Sequence, residues 1–336
     1  MTTQIVYSEK FSKHNHWSHP ENAERLHVMI NEIKKNPLLL KEIEFVEPKP
    51  VSEETLLSIH SQEMISKIKE ISSRGGGWLD PDTYVCKDSY EIAKLAAGGL
   101  LQLSESILSN EADNGFALIR PPGHHATKNR SMGFCLFNNI AIAAGELSKK
   151  GKKVLIFDHD VHHGNGTQNI FYSKKNVLYQ SIHLYPHYPF TGKTEEIGEK
   201  NGKGYTINAP LSHGNGNHAV SQLLEDIFLP IAQQFKPDII LFSAGFDSHH
   251  SDTLGGLRLT ADFFGELINR FQEIQPKIIC TLEGGYNLRW IGKCLISQIS
   301  KMTNNKIEFE DYAQEKNTAQ IIINKLKQEL QGYWRL

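Results

Sequence analysis

The stretch Val154-Leu155-Ile156-Phe157-Asp158-His159-Asp160-Val161-His162-His163-Gly164-Asn165 passes abruptly from an apolar run to two carboxylates and three imidazoles. Short apolar runs of this kind read as buried strands. Ending such a strand in acidic and imidazole groups is costly, because each must be paired or ligate a metal if it is buried. Asp160 and His162 are two residues apart, so in extended chain they face the same side. One carboxylate oxygen and one imidazole nitrogen supply two-thirds of an open metal site, and a third ligand must come from elsewhere. Asp247 is the best candidate: Ile239-Ile240-Leu241-Phe242 is another apolar run, and it leads through Ser243-Ala244-Gly245-Phe246 to this carboxylate. Three protein ligands plus water is a catalytic layout, whereas structural zinc is closed by four ligands, mostly Cys. Taken alone, Asp-x-His at a strand end reads equally well as a hydrogen-bonded polar turn.

The rest of the chain narrows the classes. At 336 residues one large domain or two would fit, and 36 basic residues against 38 acidic leave charge nearly balanced. No large basic cluster appears, which argues against nucleic acid as a partner. The densest basic run, Lys149-Lys150-Gly151-Lys152-Lys153, falls at the end of a helix-like segment, where cations are favoured. The beginning of the chain has no basic start or long apolar region, and no apolar stretch is long enough to span a membrane, so a cytoplasmic protein is expected. Cys86, Cys135, Cys280 and Cys294 are far apart, which disfavours a disulfide framework or a thiolate zinc site. Nothing in the sequence fixes an oligomeric state.

Strands are predicted at Gln4–Tyr7, Phe116–Ile119, Val154–Phe157, Val177–Ile182, Ile239–Phe242 and Ile278–Leu282. Helices are predicted at Ala23–Lys35, Glu53–Ile59, Ser61–Ser72, Asp88–Ser109, Asn138–Lys150, Asn217–Gln234, Ala261–Gln275, Leu288–Met302 and Ala313–Gln331. The alternation indicates a parallel sheet covered on both faces. The last helix, with Ile321, Ile322, Ile323, Leu326 and Leu330, is expected to pack on the body of a single domain spanning residues 1–336. Four strands end in polar turns: Arg120-Pro121-Pro122-Gly123-His124-His125, the Asp158–His163 run, Ser243–Asp247, and Glu283-Gly284-Gly285-Tyr286-Asn287. Parallel sheets bind ligands beyond the carboxyl ends of their strands, so four such turns fit one active site.

These motifs carry a family resemblance. RPPGHHA (120–126), GFCLFNN (133–139), FDHDVHHGNGTQ (157–168), SAGFDSH (243–249), DTLGGLRLT (252–260) and LEGGYN (282–287) together resemble the zinc-dependent histone deacetylase superfamily. That superfamily also holds acetylpolyamine amidohydrolases and acetoin-utilisation proteins. HPENAERL (19–26) is similar to the family's usual start, and Asn165-Gly166-Thr167 is closer to its class II and prokaryotic branch. The resemblance runs from about residue 4 to about residue 300. It implies an α/β arginase-like fold with a central parallel sheet of about eight strands and helices on both faces.

The resemblance further implies zinc held by Asp160, His162 and Asp247, with tandem histidines His124 and His125 and a catalytic Tyr286. It implies a structural potassium ion at Asp158, Asp160, His162, Ser181 and Ile182, largely through backbone oxygens. Two carboxylates and one imidazole would also accept Fe2+. The reaction implied is hydrolysis of an N-acetyl amide: zinc polarises the acetyl oxygen and acidifies a water. Asp158 is expected to orient His124, and Asn165 to contact His125. That makes His125 the neutral base and His124 the electrostatic or acid partner. Tyr286, aimed by Gly284 and Gly285, is expected to donate to the oxyanion.

An apolar channel is expected between Phe134, after Gly133, and Tyr188. Relatives usually have Gly after the Pro189 position; this chain has Phe190, whose ring either narrows the mouth or turns away. Leu254 stands where polyamine-selective relatives carry Glu, which favours acyl-lysine over acetylpolyamine. Asp80 or Asp82 stands where relatives grip the substrate backbone, though an Asp on either side of Pro81 also reads as turn-forming. His14, His16 and His19 read as rim histidines, solvated in preference to metal-binding. His249 and His250 are candidates to line the rim, and no role is read for His213 and His218. An arginase-type two-metal site is disfavoured because Ser248 and His249 follow Asp247 where further carboxylates are needed. A silent acyl-binding module is disfavoured because the tyrosine and every zinc ligand are present. Acetylated protein, peptide or small acetylamine substrates are therefore the expected partners.

Overall fold

The computed structural model describes residues 2–336. Ten strands are present: β1 (Thr3–Val6), β2 (Ile43–Val46), β3 (Gly76–Trp78), β4 (Tyr84–Cys86), β5 (Asn114–Ala117), β6 (Val154–Asp158), β7 (Val177–Leu184), β8 (Thr206–Leu211), β9 (Ile239–Ala244) and β10 (Ile278–Leu282). Strands β3 and β4 form a separate antiparallel hairpin. The other eight make one parallel sheet in the order β2-β1-β5-β10-β9-β6-β7-β8, as expected. Every residue of β5, β6, β7, β9 and β10 is buried. That explains the apolar runs that open β6, β9 and β10: a parallel strand covered on both faces has no solvent side to mark with polar residues.

All six strands anticipated from sequence lie in this sheet, with ends shifted by up to two residues. The unanticipated members, β2 and β8, are its two edges. β8 contains Pro210, which lacks a ladder donor and is tolerated at an edge. β2 is only partly buried, so it lacks the apolar run.

Several helices differ from expectation. Asn217–Gln234 is interrupted: Asn217–Leu223 and Leu229–Phe235 flank a π-helical turn at Leu224–Phe228. Pro230 follows that turn and has no N–H to continue an α-helical ladder. The C-terminal helix is Ala319–Glu329, not Ala313–Gln331. The preceding residues are tied to the 214–215 turn instead: Lys316 N–H donates to Gly214 O (2.7 Å) and Thr318 N–H to Asn215 Oδ1 (2.8 Å). This helix buries Ile322, Ile323 and Leu326 but leaves Ile321 64% exposed. Helices Pro37–Glu42 and Asn165–Phe171 were not anticipated. Among the described residues, no helix is long and apolar enough to cross a membrane.

The sheet order positions the chemistry. Neighbouring strands β5, β10, β9 and β6 deliver His124 and His125, Glu283, Asp247 and Asp160 to the same edge. In register, Asp158 sits between Ser243 and Ser181. The long helix Ser89–Leu108 packs on the Lys49–Val51 segment at very short range. A Cβ on Gly98 would lie 1.8 Å from Lys49 O, in a segment whose Val51 N–H donates to Lys94 O at 3.1 Å. Overpacking of this kind costs about 1–3 kcal/mol. Gly98→Ala is therefore expected to lose at least about 1 kcal/mol in urea unfolding with an unchanged m-value. A loss within experimental error would contradict this packing.

Candidate active site

Asp160 and His162 follow β6, and Asp247 follows β9, and their ligand-bearing atoms all lie within 4.8 Å of one another. His162 Nδ1 is 3.0 Å from Asp160 Oδ1 and 3.2 Å from Asp247 Oδ2. Backbone N–H groups fix the other oxygens: Gly284 donates to Asp160 Oδ2 (2.8 Å) and Val161 to Asp247 Oδ1 (2.9 Å). Asp247 Oδ2 is buried without a hydrogen-bond partner. Glycine is required on both sides of this cradle. A Cβ on Gly245 would fall 2.0 Å from Asp160 Oδ2, and one on Gly284 2.0 Å from Asp247 Oδ2.

The trio seeks positive charge. Burial, with the Asp160 carboxylate beside it, pushes Asp247 up to about 7. Burial alone would lower His162, yet Asp160 and Asp247 raise it to about 10. Two buried carboxylates, one with a free lone pair, facing one imidazole nitrogen suit a divalent cation. The donor set therefore fits a metal ion.

The tandem histidines are held in opposite senses. His124 Nδ1 lies 3.0 Å from Asp158 Oδ2, which also accepts from the Tyr179 hydroxyl (3.1 Å). Burial opposes its charge, but Asp158, Asp160 and Glu283 raise it to about 10. His125 Nδ1 lies 2.8 Å from Asn165 Oδ1. Burial first, then the neighbouring His124 and His162, push His125 well below the usual imidazole value. Nearby carboxylates on one side, and burial beside other imidazoles on the other, thus separate the two rings.

His124, His125, Asp160, His162 and Gly284 line one cavity of about 240 Å3 together with Phe134, Tyr188, Leu254 and Tyr286; Asp247 is not in its lining. Phe134 meets Tyr286 edge-on at 5.9 Å, and Tyr188 meets His125 at 5.2 Å. Gly133, at φ +56, leaves no room for a side chain: its Cβ would lie 2.5 Å from His125 Cδ2. Gly285 does not line the cavity. Its carbonyl accepts from Arg25 Nε (2.7 Å), so it acts from behind Tyr286. Asp82 lines the cavity, whereas Asp80 does not and accepts the Asp82 N–H (3.1 Å). Phe190 is absent from the cavity lining and is 68% exposed, so it does not narrow the channel.

Several histidines depart from expectation. His14 is fully buried, bonded to Ser89 Oγ (2.7 Å) and stacked on Tyr84 at 4.3 Å. His19 is also buried, with both ring nitrogens on backbone groups. Neither is a solvated rim residue; His16 is half-buried. His249 and His250 do not line the cavity but hold Asp311. His213 and His218 lie away from the cavity.

Sequence reasoning assigned no role to the residues supporting this edge. Glu283 is buried, and its Oε2 accepts the N–H groups of Gly123 (2.7 Å) and His124 (3.1 Å). Its signal was available, since it is a carboxylate at the end of an apolar strand. Arg25 donates to Glu283 O (2.6 Å) and sits 5.0 Å from the Tyr286 ring centroid. Glu21 pairs with both Arg25 and Arg120 in a fully buried network. His187, stacked on His162 at 5.0 Å, completes the wall. A cation, a low-pKa imidazole and a phenol around one void can polarise a carbonyl, deprotonate water and stabilise an oxyanion.

Comparison with known proteins agrees. The histone deacetylase domain model matches residues 19–302. A probable deacetylase of Archaeoglobus fulgidus is 39% identical over 296 residues, covering 86% of this chain and 82% of that protein. A histone deacetylase-like amidohydrolase of Pseudomonas aeruginosa is 35% identical over 271 residues, covering 78% of this chain and 71% of that protein. The crystal structure of the HDA15 HD domain superposes with a TM-score of 0.93 at 32% identity, covering 99% of this chain and 97% of that one. The chain belongs to the histone deacetylase family, whose members are generally metal-dependent.

Proposed function

We propose that this protein is a zinc-dependent hydrolase that removes acetyl or other acyl groups from lysine side chains of proteins or peptides. The observation that carries the proposal is the apolar-walled cavity lined by Asp160, His162, His124, His125 and Tyr286. Asp160, His162 and Asp247 would hold the metal, and Fe2+ is an alternative occupant for such donors. Once bound, a divalent cation polarises an acyl oxygen and lowers the pKa of a water.

The chain's own groups do the rest. His125, kept neutral, takes a proton from the attacking water. His124, held charged by Asp158, favours negative charge developing beside it. The Tyr286 hydroxyl donates to the oxyanion. Phe134 and Tyr188 sheathe an alkyl chain, and Asp82 at the mouth can accept a substrate backbone N–H. A potassium ion at Asp158, Asp160, His162, Ser181 and Ile182 would brace the strand ends; the pairing of Asp158 with Ser181 supports this. Four free cysteines are in keeping with a cytoplasmic setting.

A second reading, deacetylation of acetylpolyamines, draws on Asp82 in the cavity lining, since a carboxylate there could receive an ammonium group. Leu254 in the cavity wall favours the first reading. Acetate release from an acetyl-lysine peptide and an N-acetylated polyamine, side by side with Asp247→Ala as blank, separates them. The peptide is expected to turn over faster, and faster turnover of the polyamine would reverse the substrate assignment. Tyr286→Phe is expected to lower kcat by about a hundred- to a thousandfold, the usual worth of one oxyanion donor. A loss under about tenfold would remove Tyr286 from that role.

A further inference from the structure

Asp311 lies beyond the family match, which ends at residue 302. It belongs to the stretch 303–318, which forms no helix or strand, and its neighbour Tyr312 is 89% exposed. Its own side chain is only 2% exposed, and both carboxylate oxygens are engaged. Oδ2 is 3.0 Å from His249 Nε2 and accepts the Ala261 N–H at 2.8 Å; Oδ1 is 2.6 Å from His250 Nε2. A carboxylate is not buried in an otherwise irregular segment without a partner that repays its desolvation.

Two histidines and a carboxylate within 4.8 Å also have the composition of a metal site. The hydrogen bonds favour another reading. Ser251 N–H donates to His249 Nδ1 at 3.2 Å, which leaves the ring proton on Nε2. His249 Nε2 therefore donates to Asp311 and has no free lone pair for a cation.

The clasped residues lead inward to the catalytic tyrosine. Ser251 Oγ contacts His250 Nδ1 at 3.0 Å, and Ser251 O accepts from Asn287 Nδ2 at 2.6 Å. Asp252 N–H donates to His249 O at 3.0 Å, while Asp252 Oδ2 accepts the N–H groups of Tyr286 (2.6 Å) and Asn287 (2.9 Å). His249 also stacks on Trp290 at 4.9 Å, and Trp290 N–H returns to Asn287 O at 3.0 Å. The turn 249–252 and the turn 286–290 thus form one hydrogen-bonded unit whose outer fastening is Asp311.

We propose that Asp311 is a positioning residue for Tyr286: it fixes the His249–Asp252 turn that sets the backbone from which the catalytic hydroxyl is aimed. This rests on the deacylase reading given above. Asp311→Asn keeps the shape but turns an amide donor toward one histidine N–H. A double-mutant cycle with Tyr286→Phe isolates the effect, because a residue that merely holds the fold costs the same factor in either background. With an acetyl-lysine peptide, Asp311→Asn is expected to lower kcat at least fivefold with KM within twofold. In Tyr286→Phe, which has lost the hydroxyl to be aimed, it is expected to cost less than twofold. Equal factors in the two backgrounds, or a loss under twofold in the Tyr286 protein, would overturn the proposal. Should Asp311→Asn fold poorly, His250→Asn removes the more exposed partner and goes through the same cycle with the same deciding outcomes. A parent protein that releases no acetate from this peptide sinks the acetyl-lysine reading and this proposal together; an active parent with equal factors sinks this one alone.

Discussion

The structure turns on two buried carboxylates brought face to face with little to separate them. Backbone N–H groups hold both oxygens of Asp160 and Oδ1 of Asp247, while Asp160 Oδ1 and Asp247 Oδ2 also face His162 Nδ1. The Asp160 charge raises the proton affinity of Asp247, and two carboxylates this close are both ionised only beside a positive charge. That constraint dictates the local sequence. Gly245 and Gly284 must lack side chains, and β6 and β9 must be neighbours so that their ends meet. The parallel sheet supplies the neighbouring strand ends, and its buried apolar runs supply the rigidity.

A second, outer layer of charge keeps this edge in place. Glu283 accepts two N–H groups from the His124 turn, while Arg25 binds the carbonyls of Glu283 and Gly285 on either side of Gly284. Glu21 links Arg25 to Arg120. Fully buried ion pairs of this kind add little net stability compared with apolar packing, but losing one partner strands a charge. They are best understood as holding the tyrosine and histidine turns in register with Asp160, His162 and Asp247.

Legibility in the sequence followed burial. Central strands β6, β9 and β10 were evident because both faces are covered, which leaves runs of Val, Ile, Leu and Phe. Edge strands β2 and β8 carried no such mark, since half-exposed positions and Pro210 break the pattern. Asp160, His162 and Asp247 were legible because polar groups at the ends of apolar strands demand an explanation. His14 and His19 were misjudged as solvated because the ring that covers them, Tyr84, is far away in sequence. Asp311 left no signal either: its partners are about sixty residues back, and only the folded chain brings them together.

The most direct test of the account is X-ray absorption at the zinc edge of the zinc-loaded protein. The account predicts a shell of nitrogen and oxygen alone at about 2.0–2.2 Å, with one imidazole, and a shift toward a more hydrated ion in Asp247→Ala. A sulfur shell near 2.3 Å, or a spectrum unmoved by Asp247→Ala, would contradict it.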